Sequence, residues 1–132
     1  MKILLAYNSD PSARRALATA AKMAQAFDGT IDVISVVPYR PGRAPMDPWD
    51  DRDVHDLELQ DAAKLLAMLG LTCETIEPVG AVAPEIERVA REGSYDIVVV
   101  GSRRLGTLDR LLQGSVSEHV ATHAGTTVVV AR

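Results

Sequence analysis

Between Gly101 and Ser117 the sequence collects residue types that can hold an anion: Gly101 after an apolar run, Gly114-Ser115 before a helical pattern, and Arg103, Arg104 and Arg110 between them. A glycine at a strand exit lets backbone approach a ligand closely, and a helix start offers unpaired N–H groups and the positive end of the helix dipole. Together these features describe a phosphate cradle. The same residues admit a plainer reading, in which Gly101 and Gly106 shape a turn and Ser115 caps its helix. Two standard phosphate loops are excluded. No Gly-Lys-Ser/Thr triplet occurs, and the turn after the first apolar run reads Tyr7-Asn8-Ser9-Asp10, without the glycines of a dinucleotide fingerprint.

The remaining reactive side chains suggest less. His119 and His123 stand four apart, a spacing by which two imidazoles can share a metal, but no third ligand accompanies them, so no metal site is assigned. Near a helix C-terminus their positive form is favoured instead. His55 lies in an acidic run, Asp47, Asp50, Asp51, Asp53, Asp56, Glu58 and Asp61. Carboxylates at a helix start are stabilising in their own right, and the run reads as a solvated cap rather than a Mg²⁺ site. Cys73 has no second cysteine to pair with and reads as a small buried hydrophobe. Trp49, at the end of a proline-rich connection, has two open readings: cover for a ligand or partner, or packing on the domain's own flank. The candidate loop holds Asp109 as its one carboxylate and neither Lys nor His, so general acid/base chemistry is poorly supplied and no catalytic residue is assigned.

These residues need a scaffold. Runs rich in β-branched residues, Ile3 to Tyr7, Ile31 to Val37, Ile97 to Val100 and Val128 to Val130, read as strands buried on both faces, hence a parallel sheet. Thr72 to Ile76 alternates and reads as an edge strand. Helical patterns lie between them. One begins at Asp10-Pro11 with an apolar stripe of Ala13, Leu17, Ala20, Ala24 and Phe27. A second runs from about Asp51 to Leu69 with Leu59, Ala62, Leu66 and Leu69 inward. A third carries Val82, Ile86 and Val89, and a fourth opens on the capping box Ser115-Val116-Ser117-Glu118. Strict alternation of strand and helix predicts an α/β fold, a doubly wound parallel five-stranded sheet with helices on both faces, whose ligand edge lies beyond the carboxyl ends of the strands.

The chain's 132 residues fit one domain spanning 1–132, and 47% apolar with 24% charged residues suits a globular fold. Lys and Arg number 14 against 18 Asp and Glu, a net charge of −4 that argues against nucleic acid or an anionic membrane as partner. No stretch approaches the roughly 18 to 20 apolar residues that span a bilayer, and the opening run is too short for a signal peptide. A cytoplasmic location is expected. Val128-Val129-Val130 at a sheet edge would offer unpaired backbone to a second copy, giving a two-fold dimer.

Ile3 to Ser9 with Ser12 to Leu17, Asp96 to Arg103, and Leu111 to Val120 together closely resemble the universal stress protein family, and Val36-Val37-Pro38 and Gly80 to Ile86 resemble it more weakly. The resemblance covers essentially the whole chain. It implies an adenine-nucleotide-hydrolase-like fold with sheet order 3-2-1-4-5, a role in stress response, homodimers that pair through the last strand, and in one subgroup ATP binding by the pattern G-x2-G-x9-G-[ST]. Gly101 and Gly114-Ser115 keep that spacing, whereas the middle glycine falls on Arg104 and the aspartate usual after strand one is Asn8. Arginine there either blocks the site or turns its guanidinium to the phosphates, and asparagine keeps an acceptor but loses the charge. The nucleotide contacts that the resemblance implies are Ala6, Asn8, Val36, Val100, Gly101, Arg104, Gly114, Ser115, Val116 and Ser117, around ATP or a related adenine nucleotide with or without Mg²⁺. The alternatives are a family member that acts by protein–protein interaction without nucleotide, and a slow ATPase.

Overall fold

The computed structural model describes residues 1–8, 11–38, 48–101, 120 and 125–132, with backbone alone for 48–52. The described elements are β1 (Lys2–Ala6), α1 (Pro11–Phe27), β2 (Thr30–Ile34), β3 (Val37–Pro38), α2 (Pro48–Met68), β4 (Thr75–Ile76), β5 (Val79–Gly80), α3 (Val82–Glu92), β6 (Ile97–Gly101) and β7 (Thr127–Ala131). Five strands form one parallel sheet in the order β4-β2-β1-β6-β7. Counted among those five alone, this is the expected 3-2-1-4-5.

Alternation along each strand divides the core in two. Ile3, Leu5, Ile31, Val33, Ile97 and Val99 pack with α1 and α2 on one face, while Leu4, Ile34, Val98 and Val100 pack with α3 and Val120 on the other. Burial on both faces explains why these strands lack polar alternation. Each fully buried Ile or Leu contributes about 1.5–3 kcal/mol relative to exposure. Helix α1 is lined inward by Ala13, Ala16, Leu17, Ala20, Ala21 and Ala24. Small residues let its axis lie close to the sheet. The capping box expected at Ser115 to Glu118 lies outside the described residues.

Two stripe positions are corrected. Phe27, the last residue of α1, is 55% exposed and Leu69 is 47% exposed. Phe27 stands at the final position of α1 and Leu69 just beyond the end of α2, where the helical period no longer directs a side chain inward. At α2 that point is marked by backbone bonds from Gly70 to the Ala67 carbonyl and from Leu71 to the Leu66 carbonyl, with Gly70 left-handed at φ 78°. This pair of bonds closes a helix around a glycine that needs no Cβ, and Leu69 stands at the exit.

The expected strand Ile31 to Val37 divides into β2 and β3, and the expected Thr72 to Ile76 shortens to β4. Val37 pairs instead in a two-stranded parallel sheet, β3 with β5, whose other residues lie outside the expected strands. Hydrogen bonding continues through the division: Val33, Ser35 and Val37 donate to the carbonyls of Glu74, Ile76 and Pro78 in even steps.

Candidate functional site

Strands β1, β2 and β6 finish in register. Ala6 stands opposite Ile34, Leu5 opposite Val99, and Gly101 opposite Ala131. The chain moves from β1 to one side for β2 and later to the other side for β6, so a crevice is expected beyond the carboxyl end of β1. Ala6, Asn8, Val36, Val100 and Gly101 all lie at this edge. Val36 and Val100 are buried in the same apolar cluster, and Ala6 packs against it half-buried. Asn8 is exposed. Arg104, Gly114, Ser115, Val116 and Ser117 lie outside the described residues, as do Arg103, Arg110, His119 and His123, and the side chain of Trp49.

Gly101 has a local reason to be glycine. A Cβ there would overlap the Ser12 carbonyl oxygen and stand 2.6 Å from its carbon and 3.0 Å from the Ala13 nitrogen. The first turn of α1 therefore rests directly on the end of β6. This close approach fixes the start of α1 beside the strand ends.

On the opposite face of the same edge the structure assembles a polar group from residues of the acidic run expected to be a solvated cap. Ser35 is buried, and its Oγ lies 2.5 Å from His55 Nδ1 and 3.2 Å from Glu58 Oε2. His55 Nδ1 and Glu58 Oε2 are 3.3 Å apart, with side chains only 17% and 15% exposed. One turn further along α2, Asp61 accepts a 2.6 Å bond from the Tyr7 hydroxyl and lies 3.9 Å from Arg14. The cap reading describes the exposed Asp53 and Asp56 and fails for His55, Glu58 and Asp61. A usable signal was present: a serine inside the apolar run Ile31 to Val37 needs a buried partner, and His55 and Glu58, three apart, share one helix face. The carboxyl ends of β1 and of β2 are thus each pinned to α2 by polar contacts.

The amino edge of the sheet carries a second network. Tyr95 donates to Asp32 Oδ2 at 2.7 Å, the Glu74 N–H donates to Asp32 Oδ1 at 3.0 Å, and Lys2 Nζ donates to the Gly93 carbonyl at 2.7 Å while lying 4.3 Å from the centre of the Tyr95 ring. Burial first, and then the bond to Asp32, push the Tyr95 phenol well above its ordinary value. Burial, with the Asp32 carboxylate second, also raises the Cys73 thiol. Both shifts suppress ionisation, so this end of the molecule is built for structure. Among the described residues no three of His, Cys, Asp and Glu converge on a metal position, and no helix is long and apolar enough to cross a membrane.

Comparison with known proteins bears on this geometry. Of curated sequences, the Universal stress protein YxiE of Bacillus subtilis (strain 168) is 35% identical over 74 residues, which span 56% of this chain and half of that protein. A universal stress protein from Archaeoglobus fulgidus in complex with dAMP superposes with a TM-score of 0.80 at 23% identity, covering 100% of this chain and 98% of that one. A universal stress protein in complex with cAMP gives 0.81 at 22% identity over 100% and 97% of the two chains. A family member from Arabidopsis thaliana with AMP bound gives 0.69 at 23% over 98% and 90%. At these identities the likeness is one of fold. The sequence as a whole, residues 1–132, matches the universal stress protein family, and the chain belongs to that family.

Proposed function

We propose that this protein is a cytoplasmic, dimeric binding module that holds ATP or a related adenine nucleotide at the carboxyl edge of its sheet. The observation that supports this reading is the convergence of Ala6, Val36 and Val100 on one apolar cluster beside Gly101, at the carboxyl ends of strands where the chain order reverses around β1. An adenine ring would rest on that cluster, and Asn8 would accept from a ribose hydroxyl. Arg104, Gly114, Ser115, Val116 and Ser117 are proposed for the phosphates, with Mg²⁺ as a companion of the triphosphate. Solved relatives carrying cAMP, AMP and dAMP support an adenine nucleotide as the ligand class. The proposed dimer pairs Val128, Val129 and Val130 with their counterparts in a second copy.

One observation favours a second reading, a family member that works through protein contacts alone: the Ser12 backbone accounts for Gly101 without any phosphate. Titration calorimetry with ATP at millimolar concentration, beside mass spectrometry of whatever co-purifies, separates the two. Saturable heat that changes in Arg104→Gly supports nucleotide binding. No heat and no co-purifying nucleotide would leave the interaction module.

A further inference from the structure

Backbone pairing around Val36 is one-sided. Val33, Ser35 and Val37 turn their N–H groups toward the β4–β5 side, where the carbonyls of Glu74, Ile76 and Pro78 accept them at 2.9, 3.0 and 2.8 Å. Alternation turns the N–H and carbonyl of Val36 the other way, toward β1. The last bond on that side runs from the Tyr7 N–H to the Ile34 carbonyl at 3.0 Å, one step short of Val36. Among the described residues no group pairs with the Val36 N–H or carbonyl, although the residue is only 5% exposed. A donor and an acceptor left open in a residue this buried are costly unless a partner fills them, and they lie at the strand ends where the chain order reverses.

The aim of these two groups is set from the other face. Ser35 immediately precedes Val36 between β2 and β3, and its Oγ meets His55 Nδ1 at 2.5 Å and Glu58 Oε2 at 3.2 Å, with 3.3 Å between the latter two. Hydrogen on Nδ1, in the neutral ring and the charged one alike, makes all three contacts attractive, the ring donating to the carboxylate or the serine oxygen while the hydroxyl donates to Glu58. The tie does not depend on the ring's charge. Ser35 and Glu58 meet the same ring nitrogen, whereas a nucleophile–base–acid relay uses the two nitrogens separately, so the triangle is no hydrolytic triad. Its anchor is rigid, for Leu59, Ala62 and Leu66 of the same helix are buried against the sheet. Backbone bonds to Ile76 and Pro78 fix how far this segment lies from its neighbour. The hold at Oγ, from a second direction, fixes its rotation about the strand axis.

The geometry points to Ser35, His55 and Glu58 as positioning residues for the base of a bound nucleotide: through Ser35 they aim the Val36 N–H and carbonyl at the edge of the ring. The ligand half of this inference rests on the nucleotide reading above; the tie between α2 and the backbone does not. An edge with an acceptor nitrogen beside an amine, as in adenine, complements one peptide N–H and C=O. Inosine carries an oxygen and a ring N–H there, in the reverse order. Loss of the tie spreads the segment over several orientations, and apparent affinity falls with the competent fraction, about fivefold if one fifth remains.

Two measurements on the full chain test the assignment. Ser35→Ala and His55→Leu cut the tie, His55→Asn keeps a side-chain amide where Nδ1 stands, and Tyr95→Phe removes a hydrogen bond at the opposite end of the sheet as a control for stability. In amide relaxation NMR of the ligand-free protein, the Val36 N–H should be rigid in the wild type, with an order parameter of about 0.85, and fall toward about 0.6 in the first two variants alone. In calorimetry those two should bind ATP at least about fivefold more weakly and lose the wild type's preference for ATP over inosine triphosphate, and His55→Asn should restore both. A Val36 amide as rigid in Ser35→Ala as in the wild type, or ATP and inosine triphosphate weakened by one factor, overturns the positioning role and leaves nucleotide binding intact. An amide that slackens as expected in a protein that binds neither nucleotide overturns the nucleotide reading and leaves the tie standing.

Discussion

Gly101 and Ser12 touch backbone to backbone, the α-carbon at the end of β6 lying directly under the carbonyl that opens α1. Nothing larger than hydrogen fits between them, and the neighbour that would have to yield is main chain. Gly101→Ala is therefore expected to cost about 1–3 kcal/mol, the usual range for overpacking a filled site. Denaturant unfolding measures it. A loss below about 0.5 kcal/mol, the scale of ordinary surface changes, would mean that the helix start shifts freely.

Tyr7→Phe removes the 2.6 Å bond that ties the end of β1 to Asp61 on α2. Asp61 keeps substantial contact with water, its side chain being 36% exposed, so the expected loss is about 1 kcal/mol. Equilibrium unfolding of the single variant reads it. An unchanged midpoint would show that the contact contributes nothing net.

Tyr95 predicts the alkaline limb of stability. Its folded value lies above its unfolded one, because burial and the bond to Asp32 favour the neutral phenol. The stabilisation from this group is thus complete below about pH 10, where the unfolded phenol still holds its proton, and declines as pH rises above that value. Tyr95→Phe should lower stability at neutral pH and lose this alkaline decline. Unfolding curves collected from neutral pH to beyond about pH 10 test both statements.

Cys73 should alkylate slowly. With its thiol raised by burial and by Asp32, the thiolate fraction at about pH 8 is below that of a free cysteine. Iodoacetamide is expected to react several-fold faster once the chain is unfolded in denaturant. Equal rates in the two states would contradict the assigned environment.

Much of this molecule can be read from residue type alone. Ile3 to Tyr7 and Ile97 to Val100 are apolar without alternation because helices cover both sheet faces, and that pattern leads straight to a doubly wound sheet. Five strands follow from it, whereas their order and the choice of Ala6, Val36 and Val100 come from the family resemblance. Element ends were less legible. The stripe rules place Phe27 and Leu69 inward, but a helix period continues on paper beyond the residue where backbone bonding stops. The β3–β5 pair, two residues each, has no periodicity to detect. The Ser35, His55 and Glu58 triangle was hidden for another reason: local charge density pointed to solvent, whereas a tertiary contact across 20 positions drew His55 inward. No local window contains that contact.

The last strand gives a prediction about assembly. Val130 is 37% exposed and Val128 and Val129 are half-buried on a strand whose outer side lacks a neighbour among the described residues. Val130→Lys at this edge should weaken the proposed dimer, since charge on an edge strand opposes pairing. Sedimentation analysis should then show a smaller species at equal concentration. A single monomeric species in the wild type would remove the dimer from the reading.

The sheet's two margins are unequal: β7 offers five residues, while β4 offers two. Recruitment through the long margin by a two-fold operation consumes it in both copies, and what remains outside is the stub of β4, too short to template another addition. The proposed dimer would therefore carry its own stopping rule, closing on itself rather than growing into a fibre.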